Sequence, residues 1–160
     1  MIFTEGTSTR LLGCYGGRRG DLTKNIDDFA KHLMVVDNYY NHTAATFRGT
    51  LGQLASCYPY HGGGSDWSIK SMNNLLNYQT VPKILADNYT TYFYSPHTQK
   101  DSYTNLLKIA GFQNVETMES INSKFKVKKE LIINSIKDED MYEALIGFLN
   151  QENINDKLFF

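Results

Sequence analysis

The stretch from residue 34 to residue 58 constrains the fold most, because two hydrophobic patterns follow one another in it. Residues Met34 to Tyr40 are mostly β-branched, aromatic or apolar, which predicts a strand. The apolar residues that come next recur at helical spacing: Phe47, Leu51, Leu54 and Ala55. The sequence therefore predicts that Thr46 lies at a strand-to-helix junction.

A threonine at such a junction has two interpretations. The first turn of a helix offers backbone N–H groups and the positive end of the helix dipole, so the Thr46 hydroxyl would be well placed to bind an anion or to attack one. Threonine is also a common helix N-cap, and the local sequence alone favours that structural role.

A strand, a helix and a second strand are predicted to open the chain. Met1-Ile2-Phe3 has the character of the end of a buried strand, and residues about 24 to 33 form an amphipathic helix. The apolar face of this helix consists of Ile26, Phe29, Ala30 and Leu33. With the strand at 34–40 these elements make one βαβ unit, which implies a parallel sheet with a right-handed connection.

The rest of the chain is predicted to alternate helices and strands. The predicted elements before residue 100 are a short helix over 7–12, a turn-rich loop over 58–65, a short helix over 82–85 and a third strand over 89–94. They are followed by a helix that ends at Gly111, with the apolar residues Leu106, Leu107, Ile109 and Ala110, and by an edge segment or loop over 114–136. The last two are an amphipathic helix around Met141, Ala144, Leu145, Phe148 and Leu149 and the beginning of a strand over 157–160. The predicted fold class is α/β, with a mainly parallel sheet flanked by helices. Because strand-like apolar residues stand at both ends, we expect one domain over residues 1–160 that is incomplete at both ends.

Composition supports a folded domain and excludes some partners. The chain has 160 residues, of which 41% are hydrophobic, and this is enough for one domain with a sizeable core. A net charge of −1 gives no electrostatic reason to expect a nucleic-acid partner. The two cysteines, Cys14 and Cys57, have no Cys or His partner at zinc-ligand spacing.

Three groups of residues resemble the alkaline phosphatase and sulfatase superfamily. They are Ile2-Phe3-Thr4-Glu5-Gly6, then Asn38-Tyr39-Tyr40-Asn41, and then Thr46 with Ser56 and Tyr58 downstream. Within the superfamily the chain most resembles bacterial membrane phosphoglycerol and phosphoethanolamine transferases of the lipoteichoic acid synthase type, from residue 1 to about residue 112. The resemblance implies an alkaline phosphatase-like fold and the N-terminal part of a sulfatase-like catalytic domain.

The resemblance also implies a metal-dependent phosphotransferase. By position, Thr46 matches the threonine nucleophile of these enzymes, and Glu5 matches a carboxylate that holds a divalent metal ion (Mn, Zn or Mg) together with that threonine. A neutral threonine is a poor nucleophile, and coordination to a divalent cation lowers the pKa of its hydroxyl. Further metal ligands of the family, an Asp-His pair and another carboxylate or histidine, come late in its catalytic domain and would lie beyond these residues.

Glu5 by itself is better explained as a solvated acid beside a glycine turn. Glu5 and Thr46, however, each follow a predicted strand of the same βαβ unit. Since the carboxyl ends of parallel strands meet at one edge of a sheet, this placement favours a shared functional site.

Two more residues are candidates for substrate binding. Arg48 would hold a phosphate oxygen or, alternatively, cap or pair on the helix surface. His97 follows the third predicted strand and matches a residue that lines the substrate pocket in relatives, although a structural histidine is the alternative. The synthases follow this histidine with a tryptophan and an arginine that grip glycerol phosphate, and the segment over 98–105 has neither. The transferred group therefore stays open.

Two other functions are alternatives to transfer. A sulfatase needs a cysteine in Cys-x-Pro-x-Arg, and Cys57-Tyr58-Pro59-Tyr60-His61 comes close but has His61 where arginine is required. Cys57 is also expected at the far end of the predicted helix, as a buried residue. A non-catalytic binding module that keeps the fold is the third possibility, and the presence of both Glu5 and Thr46 argues against it.

The resemblance extends to partners and location. It implies a phospholipid or lipid-linked donor and a cell-envelope glycan or lipid acceptor. It further implies a place at the bacterial cell membrane, with the catalytic domain facing the periplasm or exterior and membrane segments outside these 160 residues.

Overall fold

A three-stranded parallel sheet organises the fold. The computed structural model describes residues 1–4, 6–40, 45–58, 77–125, 135–151 and 157–159. The strands are β1 (Thr90–Tyr94), β2 (Asn114–Glu116) and β3 (Leu158–Phe159), and their spatial order is β2-β1-β3. In the register of the sheet, Phe93 of β1 lies opposite Val115 of β2, and Thr90 lies opposite Leu158 of β3.

Helices cover the sheet and form the N-terminal region. The α-helices are α1 (Lys24–Ala30), α2 (Thr46–Ala55), α3 (Val81–Leu85), α4 (Ser102–Ile109), α5 (Met118–Phe125) and α6 (Asp138–Gln151), and three short 3₁₀ turns span Thr9–Leu11, Gly13–Tyr15 and Gly20–Leu22. The predicted α/β class with a parallel sheet flanked by helices is confirmed. In the described ranges, no helix is both long and apolar enough to cross a membrane.

The unit β1-α4-β2 is the parallel crossover of this sheet. Asp101 begins α4 by accepting a hydrogen bond from the backbone N–H of Tyr103 at 2.8 Å. Gly111, which has φ +101°, follows the helix and allows the left-handed turn that leads into β2. The predicted strand at 89–94 and the predicted helix that ends at Gly111 are thus both confirmed.

The two faces of β1 pack against different helices, because successive side chains of a strand point to opposite faces. Phe93 lies against Phe112, with ring centroids 5.2 Å apart, in a cluster that also contains the buried residues Leu54 of α2 and Leu107 of α4. On the other face, Tyr92 lies 5.2 Å from Phe148 of α6. Helices α3, α4 and α6 and strand β3 follow the predicted order, and buried clusters lie on both sides of the sheet.

The N-terminal part differs from the prediction. Met34 to Tyr40 forms turns and extended segments without strand pairing, and every residue of it is exposed. Met1 and Ile2 are exposed as well, and only Phe3 packs inward, 6.5 Å from Phe93. The βαβ unit predicted for the N-terminus is therefore wrong for the described residues. Composition predicts only the capacity to form a strand, whereas the strand itself needs a partner for its backbone groups.

Two other segments refine the predictions. Helix α1 falls within the predicted helix at 24–33, but Ile26 and Phe29 on its apolar face are exposed. Within 114–136, where an edge segment or loop was predicted, the structure has β2 and then α5. Helix α5 is mostly polar and buries only Ile121. Because its apolar pattern is weak, the sequence did not predict this helix. Residues 126–134 and most of the predicted loop at 58–65 lie outside the described residues.

Candidate functional site

A cavity of about 640 Å³ opens where the carboxyl end of β1 meets the beginning of α2. Its walls come from four places in the chain: the described residues around position 5, one face of α2, the segment from β1 to His97 with Tyr103, and the first residues of α6. Ligands of open α/β folds bind outside the carboxyl ends of parallel strands, and this cavity has that location.

Thr46 is the first residue of α2 and lines the cavity. The N-cap is Ala45, which has no side chain able to cap the helix, so Thr46 is not the cap that the local sequence favoured. Ala45 has φ 73°, a region that residues with a Cβ rarely adopt. Such strain of the backbone clusters at functional sites, and here it lies directly before the candidate nucleophile. The helix start at Thr46 agrees with the prediction, whereas the strand predicted before it is not formed over 34–40.

One face of α2 is polar and faces the cavity. Thr46, Gly49, Thr50 and Gln53 all line it, at the spacing of one helix face. The Thr50 hydroxyl donates to the Thr46 carbonyl at 2.9 Å and lies 3.1 Å from the Tyr103 hydroxyl. The opposite face buries Leu51 and Leu54 in the core, and this fixes how the polar face is oriented.

His97 lines the same cavity as Thr46. It follows β1 through Ser95 and Pro96, and its backbone carbonyl accepts a hydrogen bond from the N–H of Met118 at 3.0 Å. Its Nδ1 atom lies 3.8 Å from a carboxylate oxygen of Asp101, and its ring meets the Tyr103 ring edge-on at 5.9 Å. The side chain is 40% exposed, so the imidazole is open to a ligand while its backbone is held.

The other two predicted site residues are placed differently. The Arg48 guanidinium lies 5.4 Å from the centroid of the Phe47 ring, and Arg48 is not among the described residues that line the cavity. Its distance of two positions from Thr46 turns it to another side of the helix. Glu5 lies outside the described residues, so its predicted approach to Thr46 stays a prediction. Its neighbours Thr4 and Gly6 both line the cavity.

Several cavity residues were not singled out by the sequence. Asp138 and Tyr142 belong to the first turns of α6, four positions apart and therefore on one helix face. Thr50 and Gln53 had a signal, since they continue the helical spacing that begins at Thr46. Tyr103 had none, because its contact with Thr50 joins residues 53 positions apart.

The described part of the chain contains no group of three or more His, Cys, Asp and Glu residues that could hold a metal ion. The residues that line the cavity include three with donor side chains, namely Thr46, His97 and Asp138. Oxygen donors with an imidazole fit Mn, Mg or Zn better than soft metals.

Cys57 lies at the other end of α2. The helix ends at Ala55, Ser56 adopts the left-handed conformation, and Cys57 packs half-buried against the cluster of Leu51 and Leu106. Burial raises the pKa of the Cys57 thiol, which disfavours its reactive thiolate form. Since ten helical residues span about 15 Å, Cys57 is remote from the turn that carries Thr46.

Comparison with known proteins identifies the family. No curated protein and no solved structure gave a match. The family model described as "Sulfatase" matches residues 1–160. The chain therefore belongs to the sulfatase family, a family of hydrolase- and transferase-type enzymes that are typically metal-dependent.

Proposed function

We propose that this protein transfers a phospho-group, of the phosphoglycerol or phosphoethanolamine type, from a lipid donor to a cell-envelope acceptor, with Thr46 as the nucleophile. The observation that carries the proposal is the position of Thr46. It begins α2 and lines the same cavity as His97, and Thr4 and Gly6 on either side of Glu5 line that cavity too.

The transfer takes place in two displacements. The Thr46 oxygen attacks the phosphorus of the donor phosphodiester, a new O–P bond forms, and the bond from phosphorus to the lipid alcohol breaks. The hydroxyl proton of Thr46 passes to solvent water, and the departing lipid alkoxide takes a proton from solvent. A hydroxyl of the acceptor then attacks the phosphorus of the phospho-threonine and loses its proton to solvent. A new O–P bond to the acceptor forms, the bond from phosphorus to the Thr46 oxygen breaks, and that oxygen regains a proton.

The residues of α2 and the loop after β1 assist this chemistry. The positive end of the α2 dipole lies at Thr46, and it favours the negative charge of a phosphate. His97 is partly exposed at the cavity and can donate a hydrogen bond to a phosphate oxygen or to the transferred group. The buried face of α2 holds the helix, so Thr46 is presented to the donor by a fixed element.

The proposed reaction uses a divalent cation, because members of the sulfatase family are typically metal-dependent. Thr46 and Glu5 would hold it, with His97 and Asp138 as the other donor side chains at the cavity. When bound, the metal would lower the pKa of the Thr46 hydroxyl and neutralise part of the phosphate charge.

The proposed donor also sets the proposed location. The proposed donor is a membrane lipid, and the proposed acceptor belongs to the cell envelope. We therefore propose a catalytic domain that faces the periplasm or the exterior, close to the membrane surface.

The test is to trap the covalent intermediate in the protein at its natural length. With a phosphodiester lipid donor and divalent metal, intact mass should show a phospho-adduct on the wild type, and peptide mapping should assign it to Thr46. Thr46→Ala should lose the adduct and nearly all turnover, because the attacking oxygen is gone.

Cys57→Ser is the matched control for this test. Its turnover should stay close to that of the wild type, because Cys57 packs at the other end of α2. An aldehyde at Cys57, with activity retained in Thr46→Ala, would contradict the proposal and favour a sulfatase. Absence of turnover and of the adduct with every phosphodiester lipid would favour a binding module instead.

A further inference from the structure

The contact between Thr50 and Tyr103 joins the two parts of the chain that carry Thr46 and His97. Thr50 lies on α2 and is buried, and its hydroxyl reaches both the Thr46 carbonyl at 2.9 Å and the Tyr103 hydroxyl at 3.1 Å. A hydroxyl has a single proton to donate. Because the Thr46 carbonyl can only accept, Thr50 donates to it, and the Tyr103 hydroxyl then donates to the Thr50 oxygen.

Tyr103 is in turn fixed against the loop that carries His97. Its ring meets the His97 ring edge-on at 5.9 Å and the Phe93 ring at 6.2 Å. Asp101 adds a second link, because one carboxylate oxygen accepts from the N–H of Tyr103 at 2.8 Å and the other lies 3.8 Å from Nδ1 of His97. One aromatic residue thus contacts both sides of the cavity.

We propose that Tyr103 is a positioning residue whose hydroxyl, through Thr50, holds the first turn of α2 and Thr46 in a fixed place relative to His97. The proposal rests on the function proposed above, since it assigns Tyr103 to the reaction of Thr46. Loss of the hydroxyl leaves the first turn of α2 free to shift. Misplacement of a reacting group by about 1 Å costs up to roughly 100-fold in rate.

Substitution of Tyr103 by phenylalanine isolates the hydroxyl. Tyr103→Phe keeps the ring and its contacts with His97 and Phe93. The variant should fold, because Leu51 of α2 and Leu106 of α4 remain packed in one buried cluster. We expect kcat to fall about tenfold with little change in KM for the lipid donor, since the hydroxyl positions the nucleophile instead of binding the donor.

Variants of Thr50 supply the control and the test of coupling. Thr50→Val should lower kcat as Tyr103→Phe does, and Thr50→Ser, which keeps the hydroxyl, should lose less kcat than Thr50→Val. The double variant should be no slower than Thr50→Val alone, because both changes break the same hydrogen bond. An unchanged kcat in Tyr103→Phe, a rise in KM instead of a fall in kcat, or additive losses in the double variant would each overturn the proposal.

An NMR measurement tests the link without any turnover. The chain has four histidines, so the imidazole signal of His97 can be assigned with His97→Gln on the protein labelled at histidine. In the background with the natural Tyr103, Thr50→Val should shift the His97 signal. In the Tyr103→Phe background, Thr50→Val should leave that signal unchanged. A shift of equal size in both backgrounds would refute the link. Full turnover of Thr46→Ala would show that the proposed function is wrong, even if the NMR coupling between residues 50 and 97 held. The link through Tyr103 would then be structural only. Failure of the proposed function and failure of the Tyr103 link are therefore distinguishable.

Discussion

Replacement of Leu54 by alanine should cost much of the stability of this domain. Leu54 lies on α2, is 2% exposed, and packs with Leu107, Ala110 and Phe112 in one core cluster. The change removes three carbons, worth about 2.4 kcal/mol at roughly 0.8 kcal/mol for each buried CH₂ group. The cavity left behind adds to this, so we expect the free energy of unfolding to fall by about 2–5 kcal/mol.

Urea and thermal unfolding followed by circular dichroism measure this loss. For a chain of this length, about 2–4 °C per kcal/mol gives a decrease in Tm of roughly 4–20 °C. Leu22→Ala is the matched control, because it deletes the same atoms at a position that is 67% exposed, and its cost should stay within about 0.5 kcal/mol. If the two variants lost equal stability, or if Leu54→Ala cost less than about 1 kcal/mol, Leu54 would not be the core residue described here.

Three further variants test local features of the fold. Thr80→Val should lower the free energy of unfolding by about 1–3 kcal/mol, because the buried Thr80 hydroxyl donates to the Ala110 carbonyl. In urea unfolding, Thr80→Ser should lose only the roughly 0.8 kcal/mol of its buried methyl group. An unchanged stability of Thr80→Val would refute the bond. Ser56→Gly should raise Tm, because Ser56 follows α2 with φ 50°, a left-handed conformation that glycine adopts without strain. Ser56→Ala keeps the strain and should not raise Tm. A lower Tm for Ser56→Gly would contradict the left-handed conformation of residue 56. Burial acts to raise the pKa of Glu119, but hydrogen bonds from the Gln99 N–H and a threonine hydroxyl outweigh it and lower the pKa. The folded state therefore gains stability from ionised Glu119 above pH 4.5 and loses this stability as the pH falls. The difference in Tm between the wild type and Glu119→Gln should shrink below that pH. A difference that stayed constant down to pH 2 would contradict the lowered pKa of Glu119.

Strand β1 and helix α4 have local signals in the sequence. Asp101 caps α4, Gly111 allows the turn after it, and the run Thr90–Tyr94 is β-branched and aromatic throughout. Each of these features determines backbone geometry within a few residues, so the sequence alone predicts them.

The N-terminal strands were not predictable for the opposite reason. Met34 to Tyr40 has a strand-like composition, but a strand needs a neighbour to pair its backbone groups, and no pairing forms there. Instead, β3, which lies at the other end of the chain, pairs with β1, and Thr91 is opposite Phe159. Which segments pair is a question of long-range packing, and the composition of one segment does not answer it.

The candidate site shows the same division between local and long-range information. The helix start at Thr46 follows from the spacing of Leu51 and Leu54, and the position of His97 follows from the end of β1. The contact of Tyr103 with Thr50 depends on how α4 packs against α2, and no periodicity within either helix reveals it.

The beginning of α2 lies at the cavity even though the strand predicted over 34–40 is not formed. Ala45 has a positive φ, a conformation that costs about 1–3 kcal/mol and persists only where the surrounding structure enforces it. The helix that follows Ala45 is held by its buried face and by the hydrogen bond between Thr50 and Tyr103. A helix held in this way directs its N-terminal dipole at the cavity, which the loop after β1 closes with His97. The juxtaposition of Thr46 and His97 therefore depends on the packing of α2 and α4 onto β1, and not on an N-terminal strand.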